Sequence, residues 1–125
     1  MVRFGFRPRQ GLWSALVMLS CTAGAALADL PRISSESQFR EIVSGQTLVR
    51  PLVKLQVTPN GQITGTGATW KVSGNWQWQD GYFCRSLNWG GDDLGYNCQE
   101  VRSNGERIRF QSDRGTGDFA DFRLR

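Results

Sequence analysis

The stretch Gly74 to Cys98, GNWQWQDGYFCRSLNWGGDDLGYNC, alternates apolar and polar residues on either side of two tight-turn signals, and that periodicity leaves few folds open. From Trp70 the even positions are Trp70, Val72, Gly74, Trp76 and Trp78; the odd ones are Lys71, Ser73, Asn75, Gln77 and Gln79. A strict period of two marks a half-buried strand. Asp80-Gly81 suits a two-residue hairpin whose central residues both need positive φ. It pairs Gln79 with Tyr82, Trp78 with Phe83, Gln77 with Cys84 and Trp76 with Arg85. The next hairpin turns on Gly90-Gly91-Asp92, and pairing about Gly91 sets Cys84 opposite Cys98. A third, at Asn104-Gly105, sets Val101 against Ile108, Gln99 against Phe110 and Glu100 against Arg109.

These turns agree on one face. Trp76, Trp78, Phe83, Leu87, Val101, Ile108 and Phe110 point one way; Cys84, Cys98, Glu100, Arg102, Arg107 and Arg109 point the other. Agreement between separate turns is stronger than any one of them. Upstream, Val53, Leu55 and Val57 alternate with Lys54 and Gln56. Pro59-Asn60-Gly61 forms a three-residue loop that places Val57 opposite Ile63. After Gly115-Thr116-Gly117 a last strand carries Ala120, Phe122 and Leu124 on one side and Asp121, Arg123 and Arg125 on the other. The expected fold is a single mainly β domain, an antiparallel up-and-down barrel or tight sandwich of seven or eight strands. One short helix precedes it, over Arg32 to Gly45. There Ser35-x-x-Gln38 fits a capping box, Phe39, Ile42 and Val43 share a face, and Gly45 is a natural stop. Gly74 marks a bulge, a barrel-type bend or a tight turn; the pattern does not choose among them.

The N-terminal segment bears on compartment. Arg3, Arg7 and Arg9 precede an apolar run from Leu12 to about Leu19, and small residues then lead to Ala26-Leu27-Ala28. That order is a secretory signal over residues 1–28, cleaved before Asp29. The apolar run falls short of the roughly 20 residues that span a bilayer, so no stable membrane insertion is expected after cleavage. Cys21 leaves with the signal. Removing the three signal arginines from fifteen basic residues leaves twelve against eleven acidic ones. A near-neutral domain is not a nucleic-acid binder by charge, and a monomer is expected.

Cys84 and Cys98 then remain in an exported domain, where two cysteines form a disulfide. Opposed residues of an antiparallel pair lie about 4.5–5.5 Å apart between Cα atoms, within the span of such a bridge. The loop it closes stabilises by roughly 3 kcal/mol in a chain-entropy treatment. A catalytic thiol wants a neighbouring base, and the chain has no histidine. Two thiolates fall short of the four ligands of a structural zinc site.

No catalytic residue, metal site or cofactor motif emerges. Gly65-Thr66-Gly67 and Gly115-Thr116-Gly117 precede strand-like sequence, not a helix that cradles phosphate. Asp92-Asp93, Asp113 and Asp118 do not match a calcium-loop spacing and read as turn carboxylates. Trp70, Trp76 and Trp78 read as core. Trp89, beside Gly90-Gly91, reads equally as core or as a hairpin-tip contact. With Tyr82 and Tyr96 on the outer face and Arg85 nearby, it forms the candidate ligand or partner surface.

The runs GNWQWQDGYFCRSLNWGGDDLGYNCQEV and RIRFQSDRGTGDFADFRLR, with LVRPLVKLQVTPNGQITG before them, resemble a family of short exported bacterial proteins. Members of that family often carry the name dihydrodipicolinate reductase. The likeness covers nearly all of the chain after the signal. By its name, the resemblance implies an NAD(P)H-dependent oxidoreductase with a Rossmann domain, a glycine-rich loop and a histidine-and-lysine substrate site. None of those pieces maps onto a residue of this sequence. In pattern the chain also looks like small periplasmic barrel proteins that inhibit lysozymes or proteases, an analogy of fold alone. The functional expectation is a periplasmic or secreted binding, interaction or inhibitor-like module of the cell envelope. Its partner would be an envelope protein or a small ligand, met through loops such as Trp89 to Asp93. The alternative is an enzyme, as the reductase name implies.

Overall fold

After one short leading strand, each strand of this protein pairs with the strand that follows it, and the last returns to the first of that series. The computed structural model describes Gly5 and residues 30–125. Apart from Gly5, the expected signal segment and its Ala26-Leu27-Ala28 junction lie outside the described residues. Chain order is β1 (Arg32–Ile33), α1 (Glu36–Val43), β2 (Leu48–Arg50), β3 (Val53–Val57), β4 (Gln62–Gly67), β5 (Trp70–Gln79), β6 (Tyr82–Trp89), β7 (Asp92–Ser103), β8 (Arg107–Gln111) and β9 (Phe119–Leu124). Strands β2 to β9 pair in sequence, antiparallel throughout, and β2 pairs with β9 through Leu48–Leu124 and Val49–Arg123. The result is a closed eight-strand barrel, not a sandwich. Strand β1 pairs with Val101 and Arg102 of β7 as a ninth, short addition.

The hairpin chemistry explains the register. Asp80 and Gly81 take φ of 52° and 83°, and the β5–β6 ladder pairs Trp76 with Arg85 and Trp78 with Phe83, as the turn dictates. Val57 faces Ile63 across the Pro59–Gly61 loop. The cysteines meet by a less direct route. Gly90 and Gly91, both at positive φ, form a two-residue turn that pairs Trp89 with Asp92 and Asn88 with Asp93. That register alone would set Cys84 against Asn97. A bulge of one residue, near Gly95 at φ 77°, shifts it, so Cys84 faces Cys98. The disulfide joins them with Cα atoms 3.9 Å apart.

Three expectations are corrected. The β7–β8 pairing is two residues out: Val101 faces Phe110 and Arg102 faces Arg109. The Asn104 carboxamide accepts from the Glu106 and Arg107 amides. Asn104 therefore opens the turn, and Gly105-Glu106 are its centre. A slip of two keeps every side chain on its face. The helix is shorter than Arg32 to Gly45. Ser35 is its N-cap and accepts from the Gln38 amide, so Arg32 and Ile33 lie before it and pair as strand. Third, Trp70 is 57% exposed. It stands at the barrel end and lies against Gly90.

Gly74 lies in an unbroken ladder, between Ile63 and Leu87. It is therefore neither a bulge nor a turn. A Cβ there would lie 2.2 Å from the Ser86 carbonyl oxygen, and one on Gly65 would lie 2.1 Å from that of Lys54. These glycines let neighbouring backbones approach closely where β4 and β5 curve into the barrel wall.

The interior is filled from one end. Helix α1 turns Phe39 and Val43 inward, both buried. The Phe39 ring centroid lies 5.2 Å from those of Trp76, Trp78 and Phe83, and 6.4 Å from that of Phe110. Arg40 reaches the Pro59 carbonyl oxygen, and the Trp76 indole donates to the Thr58 carbonyl oxygen at 2.8 Å. The end carrying the β3–β4, β5–β6 and β7–β8 turns is thus plugged with aromatic rings.

On the outer wall Arg109 holds Asp121 with two hydrogen bonds of 2.7 and 2.9 Å. The Arg109 hydrogen bond, with Arg107 and Arg50 adding charge, holds the Asp121 carboxyl below the usual carboxylate range. A depressed carboxylate contributes stability that is complete above its unfolded value, about 3.9, and is lost as pH falls through the folded one. Asp121→Asn is therefore expected to shrink the fall in urea midpoint below about pH 4 relative to wild type. Phe39→Ala should remove about 3–5 kcal/mol of unfolding free energy, read as a lowered urea midpoint.

Candidate functional site

The aromatic plug stops part-way, and the other end of the barrel is an open cup. Its cavity is about 580 Å³, within the range of small-ligand sites, about 300–1,000 Å³. Phe83 and Phe110 form the floor, and Leu55, Leu87, Trp89 and Phe122 contribute walls. The mouth lies between the β2–β3, β4–β5 and β6–β7 turns and the connection from β8 to β9.

Period-two geometry places these side chains. Phe83, Arg85, Leu87 and Trp89 occupy alternate positions of β6 and share its inner face. Trp89 is half-buried. Its indole lies across Gly67, where a Cβ would sit 1.7 Å from the ring. Gly67 is therefore the seat of Trp89, and Val72, its β5 partner, is fully buried.

Beside the exposed Arg50 and Asp118, three less exposed polar groups break the apolar lining. Arg85 is half-buried and donates from one Nη to the Gly95 carbonyl oxygen at 3.0 Å. It makes no ion pair among the described residues, and burial pulls its pKa below the usual arginine value. Gln99, buried and opposite Phe83, donates to the Ser112 hydroxyl at 3.2 Å. All three line the cavity.

Ser112 begins a single turn, Ser112–Gly115, that runs beside β7 beyond the reach of β8. Asp113 and Arg114 both take left-handed backbone, φ 54°, at a cost of about 1–2 kcal/mol each. Contacts to β6 and β7 offset that cost. The Asp113 amide donates to Asn97 Oδ1, the Asn97 amide group donates to Asp113 Oδ1, and the Arg114 guanidinium lies 5.4 Å from the Tyr82 ring centroid.

The four residues proposed as one surface are therefore divided by the wall. Trp89 and Arg85 face the cup. Tyr82 and Tyr96 stay on the outer face, where the Tyr96 hydroxyl donates to Gln79 and lies 3.6 Å from Cys98 Sγ. Cys84 and Cys98 serve as a clasp between β6 and β7, a pairing that an oxidising compartment maintains. Gln99 and Ser112 escaped the sequence reading. Gln99 sits at an inward position of its strand, which was signal enough, but Ser112 enters only through a strained turn.

The mouth also carries an apolar rim. Leu52, Trp70, Leu94 and Phe119 are large, exposed and near its turns, with Leu52 80% exposed. Phe119 lies under the Arg109 guanidinium, 4.0 Å from its ring centroid. Asp118 lies on the rim, exposed to solvent. Outside the wall a second hollow gathers Lys54, Arg107, Arg123 and Arg125 beside Asp121.

Gly67→Val should displace the Trp89 indole from its seat into the cup; in the domain from Asp29 onward, with Trp70, Trp76 and Trp78 replaced by phenylalanine, the emission of Trp89 is expected to change its maximum. Comparison with protein-family models, with curated proteins and with solved structures found no match for this chain.

Proposed function

We propose that this domain is a small-ligand-binding module of the cell envelope, holding a largely apolar molecule in the open half of its barrel. One observation carries the reading: a cavity of about 580 Å³ with apolar walls and a few convergent polar groups. A closed barrel of this size has room to fill itself with side chains, and this one does so only on the α1 side. Such a cup with few polar groups is the general form of a small-molecule site.

Export to the periplasm is part of the proposal, supported by the disulfide and by the signal-like order of residues 1–28. Among the described residues no helix is long and apolar enough to cross a membrane. The exposed rim favours a second reading, in which Leu52, Trp70 and Phe119 meet a protein partner at the mouth, as the inhibitor analogy suggests. An oxidoreductase in line with the reductase resemblance draws no support from this geometry. Gly65-Thr66-Gly67 lies within β4, and a strand follows it.

Titration of the domain from Asp29 onward with decan-1-ol, followed by calorimetry, tests the cup. Saturable binding to one site is expected, and Ala120→Phe, which fills the cavity from β9, should weaken it at least tenfold. Binding unaffected by Ala120→Phe, or none at all, would sink the proposal.

A further inference from the structure

The cup has a half-buried cation, Arg85, that makes no ion pair among the described residues. Arg85 stands one inward position above the floor residue Phe83, and the mouth-side residues Leu87 and Trp89 lie beyond it on the same strand face. An arginine placed there loses part of its hydration, which is costly unless another charge compensates. Among the described residues its one hydrogen bond is to the neutral Gly95 carbonyl oxygen. The three ion pairs among the described residues, Arg40–Glu36, Arg102–Glu100 and Arg109–Asp121, all exclude it. Arg50 and Asp118 also line the cavity, but both are exposed, where water screens their charge.

The neighbours of Arg85 add direction. Gln99 lies on the adjacent strand level with Phe83, and Ser112 follows β8 just beyond Phe110. The Gln99 amide group already donates to the Ser112 hydroxyl oxygen, so the hydroxyl proton is free to turn towards an acceptor. A guanidinium, an amide and a hydroxyl thus converge beside the floor, while Leu55, Leu87, Trp89 and Phe119 offer apolar surface towards the mouth.

We propose that the occupant of the cup is a single-chain amphiphile with a carboxylate head, bound head inward on Arg85, Gln99 and Ser112. The proposal rests on the cup being a ligand site and names the class of ligand. The hydrocarbon tail runs up the apolar wall towards Trp89, and the apolar rim receives what emerges. The planar fork of arginine matches the two oxygens of a carboxylate. One negative charge balances one guanidinium. A phosphate monoester, with about −1.5 to −2 charges at neutral pH, would bring surplus charge to a corner that holds one cation.

The test compares decanoate, decan-1-ol and decyl phosphate by calorimetry at neutral pH, on wild type, Arg85→Gln and Arg85→Lys. Decanoate should bind wild type at least tenfold more tightly than the alcohol and more tightly than the phosphate. Arg85→Gln should erase the preference for decanoate over the alcohol, and Arg85→Lys should retain part of it. Equal binding of alcohol and decanoate, or a preference that survives Arg85→Gln, overturns the carboxylate assignment and leaves the cup standing. Tighter binding of decyl phosphate overturns the choice of head group. If no ligand binds wild type, the cup reading and this inference fall together. Circular dichroism of both variants confirms the fold, and the wild-type comparison holds even if a variant does not fold.

Discussion

Barrel closure depends on a short seam. Strand β2 has only three residues, yet its ladder with β9, extended by the Thr47 and Arg125 backbone pair at 2.6 and 2.9 Å, joins the two ends of the sheet. Without that seam β2 and β9 would be exposed edges, open to pairing with other chains. With it, each inward side chain faces a shared interior, and the curvature this demands brings backbones so close that Gly65 and Gly74 have no room for a Cβ.

Closure then poses a filling problem. The side chains of β5, β6 and β8 bring Trp76, Phe83 and Phe110 together, and α1 lowers Phe39 among them. These large rings fill one end. On the other side the inward positions of β4 are glycines, Gly65 and Gly67, and β6 supplies Arg85, whose charge resists close apolar packing. The same strand thus contributes both the plug, through Phe83, and the polar corner of the cup, through Arg85. The disulfide holds β6 against β7 from outside, at the level of that corner, and so fixes the wall on which Arg85 and Gln99 stand.

Much of this was legible because strand periodicity and tight turns act locally. Asp80-Gly81 and Pro59-Asn60-Gly61 set their registers through backbone angles that few other residues accept. The inward sets of β6 and β9 follow from alternation alone. The Asn104 turn was missed by one residue because a side chain, not a backbone preference, decides where it begins. Trp70 was misplaced because periodicity tells which face a residue occupies but not how far along the barrel the core extends.

The sequence by itself determined the alternation and the hairpin order, since each depends on contacts between residues near one another in the chain; the cysteines meet as expected, but through a bulge near Gly95 that the pattern did not show. Tertiary structure alone decided that the sheet closes, that α1 plugs one end, and that Arg85, Gln99 and Ser112 share a corner. Those outcomes depend on volume and on distant segments converging in space: a list of inward residues does not say whether their side chains suffice to fill the room they enclose.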